Sequence, residues 1–254
     1  MGKYDGILIM SDYDGTLTSR ASDVSEENRR AAEYFESEGG IFCIASGRQP
    51  SFVADIGRQI PLNGYSVTIN GTVICEPDGE KCLYEHPLER EAMMRFVKMI
   101  CKACPNRDHL RFVTKRETYH VTPDQDVDEI IGEIDGPFYK FLCVTPTAYS
   151  DEYFAKIREL AGDEFYVSRS WIHGIEIQPV GTTKGDAIAR LRELYGERVK
   201  TVIAIGDYEN DIDMIKKADI GYAVENAVPA LKAVADRITV SCTEHAIAAI
   251  INEL

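Results

Sequence analysis

Short apolar runs alternate with helical patterns along this chain, and the alternation predicts most of its elements. Residues 6–11, 41–45 and 201–205 are apolar runs that end in polar residues, which is typical of buried strands in a parallel sheet. The stretches after them carry helix-start signals, such as Ser25 ahead of two glutamates, and helical spacing. Both ends of the chain therefore predict an α/β core with a doubly wound parallel sheet.

Further elements are expected in the same core. They are a helix near 51–59, a strand at 66–70, a hairpin of 72–75 with 81–84, a strand at 219–223, and helices at 228–235 and 243–252.

The middle of the chain follows a different pattern. One helix carries its apolar residues at 93, 96, 97, 100 and 104, and strand-like stretches lie at 110–115, 117–122, 138–144 and 164–178. Because this segment interrupts the doubly wound pattern, it predicts an inserted α+β cap domain over 85–180 and a core made of 1–84 and 181–254.

Composition limits the possible classes of function. The 254 residues are 44% hydrophobic and 28% charged, which indicates a globular protein with a substantial core. A formal net charge of −14 opposes binding to a nucleic-acid backbone. No apolar run can span a bilayer, the first residues lack the layout of a signal peptide, and the cysteine number is odd. We therefore expect a cytoplasmic protein with reduced thiols and no membrane partner, and its oligomeric state stays open.

Acidic residues follow two of the predicted buried strands. Asp12 and Asp14 come after the first strand, and Asp207 and Asp211 come after the strand at 201–205. The carboxyl ends of parallel strands share one edge, so the four acids should meet there. Like charges 4 Å apart repel by about 4 kcal/mol at an effective dielectric constant near 20, so the set predicts a bound cation, and carboxylates suit Mg²⁺. Taken singly, each motif also fits a turn or a helix cap.

Three other motifs end at the same edge. Ser46-Gly47-Arg48 could hold an anion or could simply start a helix, with Ser46 as its N-cap. Lys184 opens a predicted helix, a poor place for a cation unless it faces anions, although a solvated lysine is the alternative. Asn70-Gly71 is first of all a hairpin turn, and a contact with substrate is the second interpretation.

The motifs Asp-x-Asp-Gly-Thr, Ser, Lys and Gly-Asp-x-x-x-Asp, in this order, resemble the haloacid dehalogenase-like hydrolase superfamily. The resemblance covers 6–84 and 178–254. By its size and position, the insertion between Ser46 and Lys184 is similar to the cap of the sugar-phosphatase-like branch. The resemblance implies a Rossmann-like core, dependence on Mg²⁺, and hydrolysis of phosphomonoesters through an aspartyl-phosphate.

The same resemblance implies a role for each matching residue. Asp12 is the expected nucleophile, Asp14 the general acid and base, and Lys184 the countercharge. The implied metal ligands are Asp12, Asp14 through its backbone carbonyl, Asp207 and Asp211. The expected phosphate and substrate ligands are Ser46, Gly47, Arg48, Asn70, Lys184 and Asn210.

The expected function is a Mg²⁺-dependent phosphatase for a small phosphorylated metabolite, in the first place a sugar phosphate. A sugar phosphomutase is the alternative enzyme, and it would release little free phosphate. A signalling receiver domain also gathers acids and a lysine, but the insertion and the Asp-x-Asp-Gly-Thr motif argue against it. In the cap, Arg169, Trp171 and His173 near Gly174 are candidates for binding a sugar ring. The sequence leaves the metabolite itself open.

Overall fold

A computed structural model describes residues 2–19 and 23–254 of the chain. The chain forms two compact units. The core unit combines Met1–Tyr84 with Thr183–Leu254, and the cap unit is Glu85–Thr182.

The elements are numbered in chain order. The strands are β1 Ile7–Ser11, β2 Ile41–Ile44, β3 Ser66–Thr68, β4 Val73–Cys75, β5 Cys82–Glu85, β6 His109–Val113, β7 Thr118–Val121, β8 Lys140–Val144, β9 Phe165–Trp171, β10 Gly174–Pro179, β11 Thr201–Gly206, β12 Ile220–Ala223 and β13 Arg237–Ile238. The α-helices are α1 Glu26–Ser37, α2 Ser51–Gly57, α3 Arg90–Ala103, α4 Val127–Gly132, α5 Ser150–Ala161, α6 Lys184–Tyr195, α7 Ile212–Lys217, α8 Pro229–Lys232 and α9 Ala246–Glu253.

The core unit is built on a parallel sheet with the strand order β13-β12-β11-β1-β2. A bridge between Ala45 and Val67 brings β3 alongside β2. After β1, the chain adds β2 on one side of it. The later strand β11 pairs with β1 on the other side, and β12 and β13 follow beyond it. The crevice between β1 and β11 is therefore the point where the winding direction reverses, and ligands bind at such points in open α/β sheets.

Burial fixes the register of the central strand. Ile9 lies opposite Ile203 of β11 and opposite Phe42 of β2, and all three are fully buried. A strand buried on both faces reads as a continuous apolar run, which is why β1 is visible in the sequence. The helix α1 begins where the sequence predicts, because the Ser25 side chain accepts a hydrogen bond from the backbone N–H of Asn28.

The cap unit is an antiparallel sheet in the order β7-β6-β8-β10-β9, with α3, α4 and α5 beside it. The side chains on one sheet face, such as Phe112, Phe141 and Ile177, form a single apolar cluster with α3 and α5. The stripe predicted on the first cap helix is part of this cluster, with Met93, Phe96, Val97 and Ile100 buried. The opposite face of the sheet carries polar side chains, including Arg111 and Glu176.

The predicted fold class is confirmed, and four details are corrected. The stretch 164–178 is not one strand but a hairpin of β9 and β10. The strand at 66–70 ends at Thr68, because Ile69 and Asn70 adopt positive φ angles of 46° and 58°. The helix predicted at 228–235 is short and ends at Lys232.

The last helix also begins later than predicted. Residues 242–244 form a separate 3-10 turn, and His245 has a left-handed backbone that divides this turn from α9. The short edge strand β13 was not predicted. In the part of the chain that the structure describes, no helix has the length and apolar character needed to cross a bilayer.

Candidate active site

Three buried carboxylates meet at the carboxyl end of the core sheet. One oxygen from each of Asp12, Asp207 and Asp211 lies within 4.8 Å of the other two. Asp12 follows β1, and Asp207 follows the adjacent parallel strand β11. The sequence motifs are thus brought together from positions almost two hundred residues apart because their strands are neighbours.

The side chain of Asp211 is fixed by backbone N–H groups. Its Oδ2 atom accepts hydrogen bonds from the N–H of Asp207 at 3.0 Å and from the N–H of Tyr208 at 3.3 Å. Asp211 completes a capping box at the 3-10 turn Glu209–Asp211 and makes no side-chain cap bond to α7, so capping accounts for only one of its two oxygens. Its other oxygen, Oδ1, points at a lysine.

Lys184 joins two of the three acids. Its Nζ atom donates to Oδ1 of Asp12 and to Oδ1 of Asp211, at 2.6 Å in both cases, and its side chain is fully buried. Lys184 is the first residue of α6, and Thr183 caps that helix in a reciprocal pair with Asp186. The alternative of a solvated lysine at a helix start is therefore excluded.

Burial and charge act in opposite directions on these groups. Burial raises the pKa of the Asp12 carboxyl well above its ordinary value; the nearby Lys184 ammonium opposes this shift, and Asp211 and Asp207 add to it. Burial alone lowers the pKa of Lys184, but Asp12 and Asp211 reverse the shift, so the pKa ends above its ordinary value. Lys184 is therefore a permanent cation at neutral pH.

These residues fit a divalent cation. Among the described residues, three carboxylates lie close together beside one ammonium, and Mg²⁺ carries two positive charges and prefers carboxylate oxygens. The side chain of Asp14 is not in this cluster, so its predicted contact through the backbone carbonyl stays a prediction.

A tight loop holds Asp207 against the Asp12 segment. Gly15 has a φ of 95°, and a Cβ atom there would lie only 2.4 Å from Oδ2 of Asp207. The hydroxyl of Thr16 donates to Oδ1 of Asp207 at 3.4 Å, and the side-chain amide of Asn226 donates to the carbonyl of Gly15 at 2.8 Å. Glycine is required here both by the backbone angle and by the close approach of the carboxylate.

Asp14 is held by Arg48 in a two-pronged ion pair. The Nε and Nη2 atoms of Arg48 donate to the two carboxylate oxygens of Asp14 at 2.7 and 2.6 Å. The guanidinium also lies over the Phe52 ring, 4.0 Å from its centroid, and 5.5 Å from the centroid of Tyr13. Arg48 thus pairs with Asp14, the predicted acid and base. The predicted contact of Arg48 with phosphate stays a prediction.

Ser46 and Gly47 lie in the loop after β2. Ser46 is not the N-cap that one interpretation predicted, because α2 begins only at Ser51 and has Pro50 at its cap position. Instead, the Ser46 hydroxyl accepts a hydrogen bond from the backbone N–H of Arg48 at 3.2 Å. Among the described residues, none accepts the N–H of Gly47, so this donor is available to an anion.

Asn70 and Asn210 face each other at the same edge. The side-chain amide of Asn210 donates to Oδ1 of Asn70 at 3.5 Å, and both residues are buried. Asn70 and Gly71 form the predicted turn, between β3 and β4, with φ angles of 58° and 107°. Their contact with a substrate stays a prediction.

The three cap candidates do not form one site. Arg169 pairs with Asp151 of α5 and lies over Phe154, on the helical side of the sheet. Trp171 lies 5.6 Å from the Arg111 guanidinium on the opposite side. The reason is an irregularity in the β9–β10 register, which pairs Ile175 with Arg169 but Gly174 with Trp171, so the bulge at Ser170 separates the two side chains. His173 contacts the carbonyl of Thr145.

Sequence reasoning missed several supporting residues. Thr16 belongs to the Asp-Gly-Thr motif, so its position near a metal site could have been suspected. Asn226 and the pairing of Arg48 with Asp14 carry no sequence signal, because both connect loops that are distant in the chain.

Comparison with known protein sequences gives matches over almost the whole chain. The sequence profile described as haloacid dehalogenase-like hydrolase matches residues 9–251. The chain is 27% identical over 250 residues to the 5-amino-6-(5-phospho-D-ribitylamino)uracil phosphatase YcsE of Bacillus subtilis, covering 95% of this chain and 92% of that protein.

Solved structures show the same fold over the full length. A haloacid dehalogenase-like hydrolase from Bacteroides thetaiotaomicron superposes with a TM-score of 0.79 at 26% identity, covering 99% of both chains. The HAD subclass IIB sugar phosphatase BT4131 superposes with a TM-score of 0.77 at 20% identity, covering 97% of this chain and 98% of that one. These similarities extend across both units of the molecule.

Proposed function

We propose that this chain, which belongs to the haloacid dehalogenase-like hydrolase family and is a phosphatase, uses Mg²⁺ and an aspartyl-phosphate on Asp12 to hydrolyse the phosphomonoester of a small metabolite. The observation that carries the proposal is the cluster of Asp12, Asp207 and Asp211 around the ammonium of Lys184. Three carboxylates this close together repel a phosphate dianion unless a divalent cation is bound. The acids therefore support a metal-dependent reaction.

Asp207, Asp211, Asp12 and the backbone carbonyl of Asp14 are the residues proposed to hold Mg²⁺. When bound, the ion supplies positive charge that lowers the repulsion between the Asp12 carboxylate and the phosphate. Lys184 adds a fixed positive charge beside Asp12, and its ion pair holds the Asp12 carboxylate in place.

The reaction proposed for this chain has two steps. An Asp12 oxygen forms a bond to phosphorus, the bond between phosphorus and the leaving oxygen breaks, and Asp14 gives that oxygen a proton. A water molecule then attacks phosphorus and transfers a proton to Asp14, and the bond between Asp12 and phosphorus breaks to release phosphate. The hydroxyl of Ser46, the N–H of Gly47 and the amide of Asn210 are proposed to bind the phosphate oxygens.

The substrate is proposed to be a phosphorylated sugar or sugar-like polyol. The structure named as a sugar phosphatase and the relative named for a phosphoribityl compound both support this class. The two names share a phosphate on a polyhydroxylated carbon chain.

A phosphate-release assay tests the proposal. We expect sugar and polyol phosphates to release inorganic phosphate when Mg²⁺ is present, and we expect excess EDTA to abolish the release. Isomerisation of a sugar phosphate with little free phosphate would instead indicate a mutase. Equal release with and without EDTA would contradict the metal dependence.

A further inference from the structure

The loop after β12 contacts both loops that carry the proposed metal ligands. The backbone N–H of Val228 donates to the carbonyl of Asp207 at 2.9 Å. Two residues earlier in the chain, the side-chain amide of Asn226 donates to the carbonyl of Gly15 at 2.8 Å. Gly15 directly follows Asp14, and all these residues belong to the core unit. The loop after β12 therefore connects the loop of Asp14 to the loop of Asp207.

The side chain of Asn226 is also held at its other end. Its Oδ1 atom accepts hydrogen bonds from the backbone N–H of Cys242 at 2.8 Å and from the hydroxyl of Ser241 at 3.3 Å. Because one end of the amide faces a backbone N–H and the other end faces a backbone carbonyl, only one orientation of the amide satisfies both contacts. Asn226 is thus a fixed link between the Gly15 loop and the 3-10 turn at 242–244.

The bond to Gly15 is important because two peptide planes meet at this residue. The N–H of Gly15 donates to the carbonyl of Thr18 at 2.8 Å, which fixes the plane that this N–H shares with the carbonyl of Asp14. In a trans peptide these two groups point in opposite directions, and none of the described peptide bonds is cis. Asn226 fixes the next plane, which contains the Gly15 carbonyl. Together the two hydrogen bonds set the orientation of the Asp14 carbonyl, which is a proposed metal ligand.

The glycine makes such a link necessary. Gly15 has no side chain, which lets the Asp207 carboxylate approach closely, but glycine also rotates more freely than other residues. The loop therefore has a flexible joint directly beside Asp14. The bond from Asn226, at 2.8 Å, is much shorter than the 3.4 Å contact between the Thr16 hydroxyl and Asp207, so we expect it to restrict this joint more strongly.

We propose that Asn226 is a positioning residue for the Mg²⁺ site: through the Gly15 peptide, it holds the Asp14 carbonyl at the spacing from Asp207 that the ion requires. The inference rests on the proposed function, because Mg²⁺ is part of that proposal. Asn226 is exposed, so we expect its loss to change global stability only slightly. Loss of a residue that orients a metal ligand lowers metal affinity by roughly 10- to 100-fold.

The variant Asn226→Asp tests the link to Gly15. Aspartate has the same shape and keeps the acceptor for Cys242 and Ser241, but it cannot donate to the Gly15 carbonyl. Its negative charge would by itself attract Mg²⁺ more strongly. We expect the dissociation constant for Mg²⁺ to rise at least about tenfold in spite of this charge. Isothermal titration calorimetry with MgCl₂, in the absence of substrate, measures the affinity.

Asn63 provides a matched control at the opposite edge of the sheet. Its Oδ1 atom accepts a hydrogen bond from the N–H of Phe42 at 2.7 Å, and its side-chain amide donates to the carbonyl of Gly40 at 2.9 Å. Asn226 makes the same two kinds of contact, but those of Asn63 lie where β2 begins, and the acids lie where strands end. Asn63→Asp should therefore leave the dissociation constant for Mg²⁺ within about twofold of the parent value.

A second variant, Asn226→Ala, removes the link without adding a charge. We expect it to lose Mg²⁺ affinity by at least about fivefold. At saturating Mg²⁺, both Asn226 variants should recover a kcat within about threefold of the parent, because the reacting groups are intact. Thermal unfolding in EDTA, expected to shift by less than about 3 °C, checks that both variants fold.

The outcomes separate this inference from the proposed function. Unchanged or higher Mg²⁺ affinity in either Asn226 variant, or an equal loss of affinity in Asn63→Asp, would overturn the positioning role while the parent still binds Mg²⁺. If the parent protein itself binds no Mg²⁺, the metal dependence of the proposed function is wrong, and the role of Asn226 is wrong with it.

Discussion

Each unit of this protein buries a lysine among acids, and the two arrangements differ in their charge balance. In the cap, Lys140 forms an ion pair with one carboxylate, that of Glu176. In the core, Lys184 pairs with Asp12 and Asp211, and Asp207 lies beside them. The cap pair has one carboxylate for one ammonium, whereas the described residues of the core cluster include three carboxylates for one ammonium.

The difference indicates which buried charges serve function. A buried pair with matched charges adds little net stability, because desolvation offsets the attraction. A buried cluster with excess negative charge is unfavourable until a cation arrives, so its presence points to ligand binding. Both lysines are buried, and both form ion pairs of about the same length, so these two properties do not identify a functional site. The number of carboxylates around each lysine is also needed.

Replacing Asp12, the proposed nucleophile, should have the largest effect on activity. Asp12→Asn keeps the size of the side chain but loses its nucleophilic oxygen, so we expect kcat to fall by at least about 10³-fold. The metal-free protein should be at least as stable as the parent, since one of three crowded carboxylates is gone. Phosphate release and thermal unfolding measure both effects, with Asp55→Asn, in an exposed ion pair with Arg58, as the control. Retained activity would falsify the assignment of Asp12.

Lys184→Met tests the core side of the comparison. It removes the ammonium shared by Asp12 and Asp211, so we expect activity to fall by about 10²-fold or more and the metal-free protein to lose about 3–5 kcal/mol of unfolding free energy. Added Mg²⁺ should restore part of this stability by binding to the folded state. Denaturant unfolding with and without Mg²⁺ measures it. If Mg²⁺ gave no recovery, the acids would not be a cation site.

Lys140→Met tests the cap side. It removes the ammonium that faces the buried Glu176 carboxylate, so we expect a loss of about 3–5 kcal/mol, whereas the double variant Lys140→Met with Glu176→Leu should recover most of it. Mg²⁺ should not change the stability difference between either cap variant and the parent. An Mg²⁺-dependent recovery in Lys140→Met would show that the two lysines do not differ as proposed.

Arg48→Lys should have the smallest effect. It extends the comparison of the two buried lysines to an ion pair that is partly exposed. Lysine keeps the charge but cannot make two parallel hydrogen bonds to Asp14, so we expect kcat to fall by about three- to tenfold with KM nearly unchanged. Because Arg48 and Asp14 are 44% and 31% exposed, the unfolding free energy should change by less than about 1 kcal/mol. A rise in KM with constant kcat would support the alternative role of Arg48 in phosphate binding.

Much of the core fold, and the meeting of its acidic residues, could be predicted from the sequence for a physical reason. A strand buried on both faces must be apolar throughout, so the polar residue that ends it, such as Asp12 or Asp207, is conspicuous. Parallel pairing then brings such residues to one edge with no further information. The fold class and the meeting of three acids follow from these two facts.

Other features depend on contacts that local patterns do not encode. The pairing of Arg48 with Asp14 depends on where two loops meet in space. The separation of Arg169 from Trp171 depends on a single extra residue in β9, and a one-residue change in register reverses the face of every side chain after it. The positive φ of Ile69 is unusual for a β-branched residue, and no local sequence pattern predicts it.

The position of β1 at the centre of the sheet has a consequence for synthesis of the protein on the ribosome. Its first neighbour, β2, follows within the same segment, but its other neighbour, β11, is translated roughly 190 residues later. At about 5–20 residues per second, the nascent chain therefore exposes one edge of this apolar central strand for about 10–40 s. Chaperone demand during translation should be concentrated in this interval, and slowing elongation across the cap should lengthen it.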